Sequence, residues 1–252
     1  MAMNSCPPIR MSNGNVIEDP VGQALRFVGS DGSYQLYDSA PVAQDDTLTE
    51  SDVRVANKFV ARMSSAVITG ILARRVDIDA ALKRIPARSS LTDAESAIPW
   101  DALHALIAAF DDVPAVGLAR ITKVLHRKRP ALIPILDSVV EGYLVGIERP
   151  PPGSRADRAV ALTRTYKREM DLNREALACL RLRLTAHGIN LTECRLFDVF
   201  AWMYSGLYVP LINRPAREMN AALLERPQRA DRVSLGAPNA RRGCVCLPGP
   251  RE

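Results

Sequence analysis

Between Gly117 and Pro130 the chain places Arg120, Lys123, Arg127, Lys128 and Arg129 with no acidic residue among them. Such a run can track a phosphate backbone, and the turn before it adds a second anion-binding element. There the backbone N–H groups of Val116, Gly117, Leu118 and Ala119 would point outward at the start of a helix. A solvated basic face is the alternative that charge alone leaves open. His126, inside the run, reads as a surface or interface residue rather than a ligand or base. Asp137 follows Pro134 and precedes an apolar stripe through Val140, Tyr143 and Leu144. A carboxylate there can cap the helix, and the same group can serve as a general base. The two roles are not exclusive.

The elements that must position these groups can be read from periodicity. Leu103, Leu106, Ile107 and Phe110 have the spacing of an amphipathic helix, with Pro99 and Trp100 at its first turn. Asp111, Asp112 and Pro114 break it, because proline has no N–H to donate and biases the residue before it away from helix. Gly117 then suggests a turn through backbone conformations closed to residues with a Cβ, after which Leu118, Ile121, Val124 and Leu125 resume a helical stripe. The expectation is a helix, a short hairpin and a second helix, across residues 99–128.

The string Val113-Pro114-Ala115-Val116-Gly117 resembles the helix-hairpin-helix element of the base-excision DNA glycosylase superfamily, whose hairpin reads Leu-Pro-Gly-Val-Gly. The resemblance implies an essential Asp downstream, at the start of a helix and before Thr or Ser, a place that Asp137 and Ser138 fill. Ala115 stands where that family has its first hairpin glycine, and Val139 and Gly142 stand where it often has His and Arg. The lysine of its lyase-active members would fall at Ala119, so a lyase is not implied. The cysteine quartet of its cluster-binding members is missing, so no iron–sulfur cluster is implied either. The longer string from Ile121 to Ser138 also resembles a group of bacterial proteins of unknown function.

The chain has 252 residues, of which 47% are hydrophobic and only 5% aromatic, so one sizeable aliphatic core is expected. A net charge of +5 is a weak vote for an acidic partner such as DNA. Five cysteines without framework spacing suggest a reducing compartment, with Cys179 and Cys194 in the core. Cys244 and Cys246 alone do not fill a tetrahedral metal site, and neither metal nor cofactor is expected. No signal-peptide or bilayer-spanning run is seen, which points to a cytoplasmic protein without membrane contact.

Taken in order, residues 1–19 read as disordered and residues 20–224 as one helical domain. Residues 25–28 and 34–37, flanking a Gly- and Ser-rich cluster, read as a small β-hairpin. Thr49 and Asp52 form a capping-box pattern before a helical stripe through Ala56, Phe59, Val60, Met63, Val67 and Ile71. A shorter helix through Val76 to Ile85, capped by Asp77, is followed by a polar loop. Ser154 and Asp157 start a long helix, bent near residues 171–173, with Gly188 as its stop. Asn190 is expected to cap an apolar helix carrying Arg195, Asp198 and Trp202 on one face, Arg195 and Asp198 as a structural pair. A short helix over residues 216–224 and a disordered basic tail, 225–252, complete the chain.

The fold class is therefore mainly α, a multi-helix globular domain with a helix-hairpin-helix element and a small N-terminal β-hairpin. Three functions fit. The first is a non-catalytic module gripping a DNA backbone through Val116, Gly117, Leu118 and Ala119 with the cations from Arg120 to Arg129. The second is an architectural scaffold that has lost DNA binding. The third is a monofunctional DNA glycosylase with Asp137 as the catalytic carboxylate, its target nucleotide flipped out of the stack.

Overall fold

The structure, a computed structural model, describes residues 5–30, 32, 34–41 and 45–205. The expected final helix, the basic tail and Cys244 and Cys246 lie outside the described residues. Among the described residues two short antiparallel strands, β1 (Ile9–Arg10) and β2 (Val16–Ile17), precede ten α-helices: α1 Pro20–Ser30, α2 Glu50–Ala56, α3 Ser65–Ala73, α4 Arg75–Leu82, α5 Trp100–Ala108, α6 Leu118–His126, α7 Ser138–Ile147, α8 Arg155–Leu172, α9 Arg174–Ala186 and α10 Glu193–Tyr204. Among the described residues no helix is long and apolar enough to cross a membrane.

A small N-terminal hairpin exists, but it is formed by residues expected to be disordered. Gly14, at φ +89, makes its turn, a conformation that glycine adopts without a Cβ clash. Side chains far along the chain then fix it. Asn173 accepts from Arg10 N–H at 2.7 Å and donates to Arg10 C=O at 2.8 Å, and Cys6 is joined to Cys179 in a disulfide. The expected hairpin at residues 25–37 is instead helix α1 followed by a wide helical turn over Tyr34–Asp38. Its start signal was Asp19-Pro20: Asp19 Oδ1 accepts from Gly22 N–H at 2.9 Å, and Pro20 occupies a position where no donor is needed. Cys179, expected as a core thiol, is half of that disulfide, whereas Cys194 is a buried free thiol.

The capping boxes expected at Thr49 and Ser154 are both present. The stripe beyond Thr49 does not form one helix. It breaks at a wide turn, Asn57–Ala61, where Val60 and, just past the turn, Arg62 take left-handed φ values of 55° and 49°, and α3 restarts behind Ser64. The long helix divides at Asn173 into α8 and α9, and Gly188, at φ +75, ends α9. The cap of α10 is Thr192 rather than Asn190, and that of α4 is Arg74 rather than Asp77.

Helix α5 packs on α4 and α8, α7 on α8 and α10, α10 on α9, and α6 on α2. Helix α6 lies deepest. Every residue from Ile121 to Arg129 is buried, and these side chains connect the α2 side of the molecule to the α7 and α10 side.

Candidate functional site

Asp137 is brought to its place by a set of hydrogen bonds on the loop between α6 and α7. His126 Nδ1 lies 2.6 Å from the Ile133 carbonyl, which fixes that nitrogen as the protonated one. Asp198 Oδ2 accepts from Ile135 N–H at 3.1 Å, and Thr122 Oγ1 accepts from Leu136 N–H at 3.0 Å. With three successive regions of backbone held, the loop delivers Asp137 to the start of α7. There its Oδ1 accepts from the N–H groups of Val139 and Val140 at 3.0 and 3.1 Å. The expected cap is present and occupies one oxygen. Among the described residues, Oδ2 makes no hydrogen bond or ion pair.

Lys123, one turn before His126, is 7% exposed and has no carboxylate in contact among the described residues. Its Nζ stands 4.6 Å above the Phe59 ring, and Tyr37, stacked on Phe59 at 4.6 Å, donates to the Lys123 carbonyl at 2.6 Å. Desolvation holds the Lys123 amine below the usual lysine range, and the nearby Asp137 carboxylate offsets only part of that shift. A lysine in this state has a larger share of the neutral, nucleophilic or basic form than a solvated one.

Behind these two residues lies a buried charge cluster. Arg195 grips Asp38 with two bonds of 2.8 and 2.9 Å and reaches Asp198 at 3.4 Å, so the expected Arg195–Asp198 pair exists but is the weaker of the two. Burial pushes Asp198 up to about 7 against the pull of Arg195, with Asp137 adding to the rise, and among the described residues its Oδ1 has no hydrogen-bond partner. Burial also lowers His126 to about 4, helped by the Arg195 charge. His126 is therefore a neutral core residue, not a surface one.

The basic run is turned inward. Arg127 donates to the carbonyls of Tyr37 and Pro41 at 3.1 and 2.8 Å. Lys128 pairs with Asp45 and Asp52 at 2.9 and 2.8 Å. Arg129 binds the Leu82 and Ile85 carbonyls at the end of α4 and pairs with Asp46. The exposures of these three cations are 4%, 0% and 0%, so they are not presented to a phosphate backbone. The reason is charge complementarity within the chain. A buried cation needs carboxylates and carbonyls around it, and residues 45–52 and the end of α4 supply them.

In the turn before α6, Gly117 is the helix N-cap with φ −95° and ψ 169°, extended backbone open to any residue. The left-handed residue is Ala115, at φ 57°. Arg120 stabilises this arrangement by donating to Ala115 C=O and, at 2.9 and 3.2 Å, to the carbonyls of Ala61 and Arg62. One guanidinium therefore joins the two left-handed segments that lack glycine among the described residues. Gly117 is exposed, whereas Val116 and Leu118 are buried, with Ala119 half-buried.

The site thus brings together Lys123 and Asp137 and separates them from Arg127, Lys128 and Arg129. Sequence reasoning missed Tyr37, Asp38 and Phe59. Their signal was weak, since Tyr37 and Asp38 sit in a stretch that reads as strand and turn, and Phe59 reads as one more apolar residue in a helical stripe. No curated protein and no solved structure matches the chain. A family model covers residues 23–205, from α1 to the end of α10 and so the whole of this site, and the chain belongs to that family, DUF6308, a family of unknown function.

Proposed function

We propose that the protein is a glycosylase-like hydrolase acting on nucleic acid, with Asp137 as its catalytic carboxylate and Lys123 beside it. The observation that carries the reading is the free Oδ2 of Asp137 in the field of a desolvated, unpaired amine. A capping carboxylate has no need of such a neighbour. In the reaction the N-glycosidic bond of a flipped nucleotide breaks, its electron pair leaving with the base. Asp137 takes a proton from water as the water oxygen bonds to the sugar carbon, and its charge stabilises the oxocarbenium character of the transition state. The nucleic-acid part of the proposal rests on the hairpin resemblance.

Burial of Arg127, Lys128 and Arg129 removes the main support for a passive backbone-binding module. It favours the architectural scaffold as the competing reading, and one substitution separates the two. Asp137→Asn keeps the cap, because asparagine caps as well as aspartate, but cannot take a proton. Duplex oligonucleotides carrying uracil, hypoxanthine or alkylated bases would be incubated with excess protein and then cleaved by hot alkali at any abasic site. We expect strand breaks at one of these bases, reduced about a hundredfold or more in Asp137→Asn at unchanged melting temperature. Equal breakage by the variant, or none by the wild type on any substrate, overturns the proposal.

A further inference from the structure

The turn Asn57–Ala61 is held in a costly shape. Val60 stands at φ 55° and ψ 25°, and Arg62, just past it, at φ 49° and ψ 45°, left-handed values that a β-branched residue in particular rarely takes. Glycine would hold either position at no steric cost, so a turn needed only to redirect the chain has no use for these side chains. The shape persists because other side chains fix it. Asn57 Oδ1 accepts from Met63 N–H at 2.6 Å while its Nδ2 donates to Met63 C=O at 3.1 Å, and Arg120 holds the carbonyls of Ala61 and Arg62.

What the turn presents is two cations with an apolar side chain between them. Lys58 and Arg62 are exposed, and among the described residues neither side chain has a hydrogen bond or ion pair. Val60, 52% exposed, lies between them along the chain, although its helical spacing placed it in the core. The same turn contributes Phe59, whose ring lies under the Lys123 amine. Desolvation first, and then the charges of Arg195 and Arg62, hold that amine low, so Arg62 stands within electrostatic reach of the lysine beside Asp137. Unlike Arg127, Lys128 and Arg129, these two cations are open to a phosphate backbone.

From two exposed cations on a braced turn that also supplies the ring under Lys123, we infer that Lys58 and Arg62 are the nucleic-acid contact of the Lys123–Asp137 site, pairing with backbone phosphates beside the nucleotide presented to Asp137. The inference rests on the reading of that site as one that acts on nucleic acid. It names where the strand lies: across the turn, with phosphates on the two cations and the less polar sugar faces toward Val60.

The test is fluorescence anisotropy of a labelled DNA duplex titrated with the full chain across a salt series. Arg62→Gly suits the left-handed backbone, so it removes the charge without unfolding the turn, and its melting temperature is expected at or above that of the wild type. It is combined with Lys58→Ala, and the control is Lys83→Ala with Arg84→Ala, exposed cations at the end of α4. We expect wild-type affinity to fall steeply between about 50 and 200 mM salt. The Lys58–Arg62 double variant should bind at least about tenfold more weakly with a salt slope smaller by about two, and the control should stay within about twofold of wild type. No wild-type binding at about 50 mM salt, full binding by the double variant, an equal loss in the control, or an acidic peptide bound as tightly as DNA overturns the inference. DNA held through the turn without excision of any base leaves this inference standing and ends the Asp137 reading. Excision that the double variant retains in full at limiting protein does the reverse.

Discussion

Lys123 and Lys128 lie on the same short stretch of chain and are both almost entirely removed from solvent, yet their surroundings are opposite. Lys128 has two carboxylates in contact, Asp45 and Asp52. Lys123 has an aromatic face and, nearby, an Asp137 carboxylate that it does not touch. Burial of a charge is tolerated in the first case because partners replace water, and in the second the cost appears as a depressed amine pKa. Burial by itself therefore does not distinguish a structural cation from a chemically poised one. The partner does.

The sharpest way to break this comparison is to remove each lysine in turn and measure urea unfolding. Lys128→Ala leaves Asp52, itself 4% exposed, without its closest cation, and is expected to cost about 3–5 kcal/mol. Lys123→Met replaces an unpaired buried amine with a chain of similar shape and is expected to be neutral or stabilising by about 1 kcal/mol. Equal losses from the two would show that Lys123 is as structural as Lys128.

A slightly smaller effect lies in pH. Asp198 is raised from 3.8 to about 7, so the folded state holds the extra proton, and its contribution to stability is lost as pH rises from about 4 to 7. His126 is lowered from 6.5 to about 4, so the unfolded state holds the extra proton, and stability is lost as pH falls through that window. The two slopes oppose each other, so the melting profile of the wild type between pH 4.5 and 6.5 is expected to be flatter than that of a variant that keeps only one of the two groups. Asp198→Asn should expose the His126 slope, with melting temperature falling on acidification, and His126→Gln the reverse. Identical flat profiles in both variants would show that neither group titrates as its burial requires.

The smallest effect concerns the turn between α5 and α6. Ala115→Gly relieves a left-handed alanine and is expected to stabilise by about 1 kcal/mol, whereas Gly117→Ala, at an extended position with open space around it, should be within about 0.5 kcal/mol of wild type. A larger loss from Gly117→Ala than from any change at Ala115 would return the turn to the conformation that the sequence alone suggests.

Much of the helical order was legible because capping chemistry is local. Thr49 with Asp52, Ser154 with Asp157, Gly188 and Asp137 each satisfy backbone groups within a few residues, so their side chains announce the element they begin or end. The N-terminal hairpin was not legible, because what holds it is supplied by Asn173, Glu169 and Cys179, on α8, α9 and the bend between them. The break at Asn57–Ala61 was hidden for a related reason: its apolar residues keep helical spacing, while Arg120, from another helix, holds its carbonyls.

The sequence by itself determined that the chain is mainly helical, that α6 is basic and that Asp137 begins α7, since each depends on neighbours along the chain. The tertiary structure alone decided which cations are structural and which one stands unpaired beside Asp137. The charge on a side chain is encoded locally, but whether it meets water, a carboxylate or a ring depends on segments that folding brings from far away: residues 37–41 and 45–52, the turn at Phe59 and helix α10.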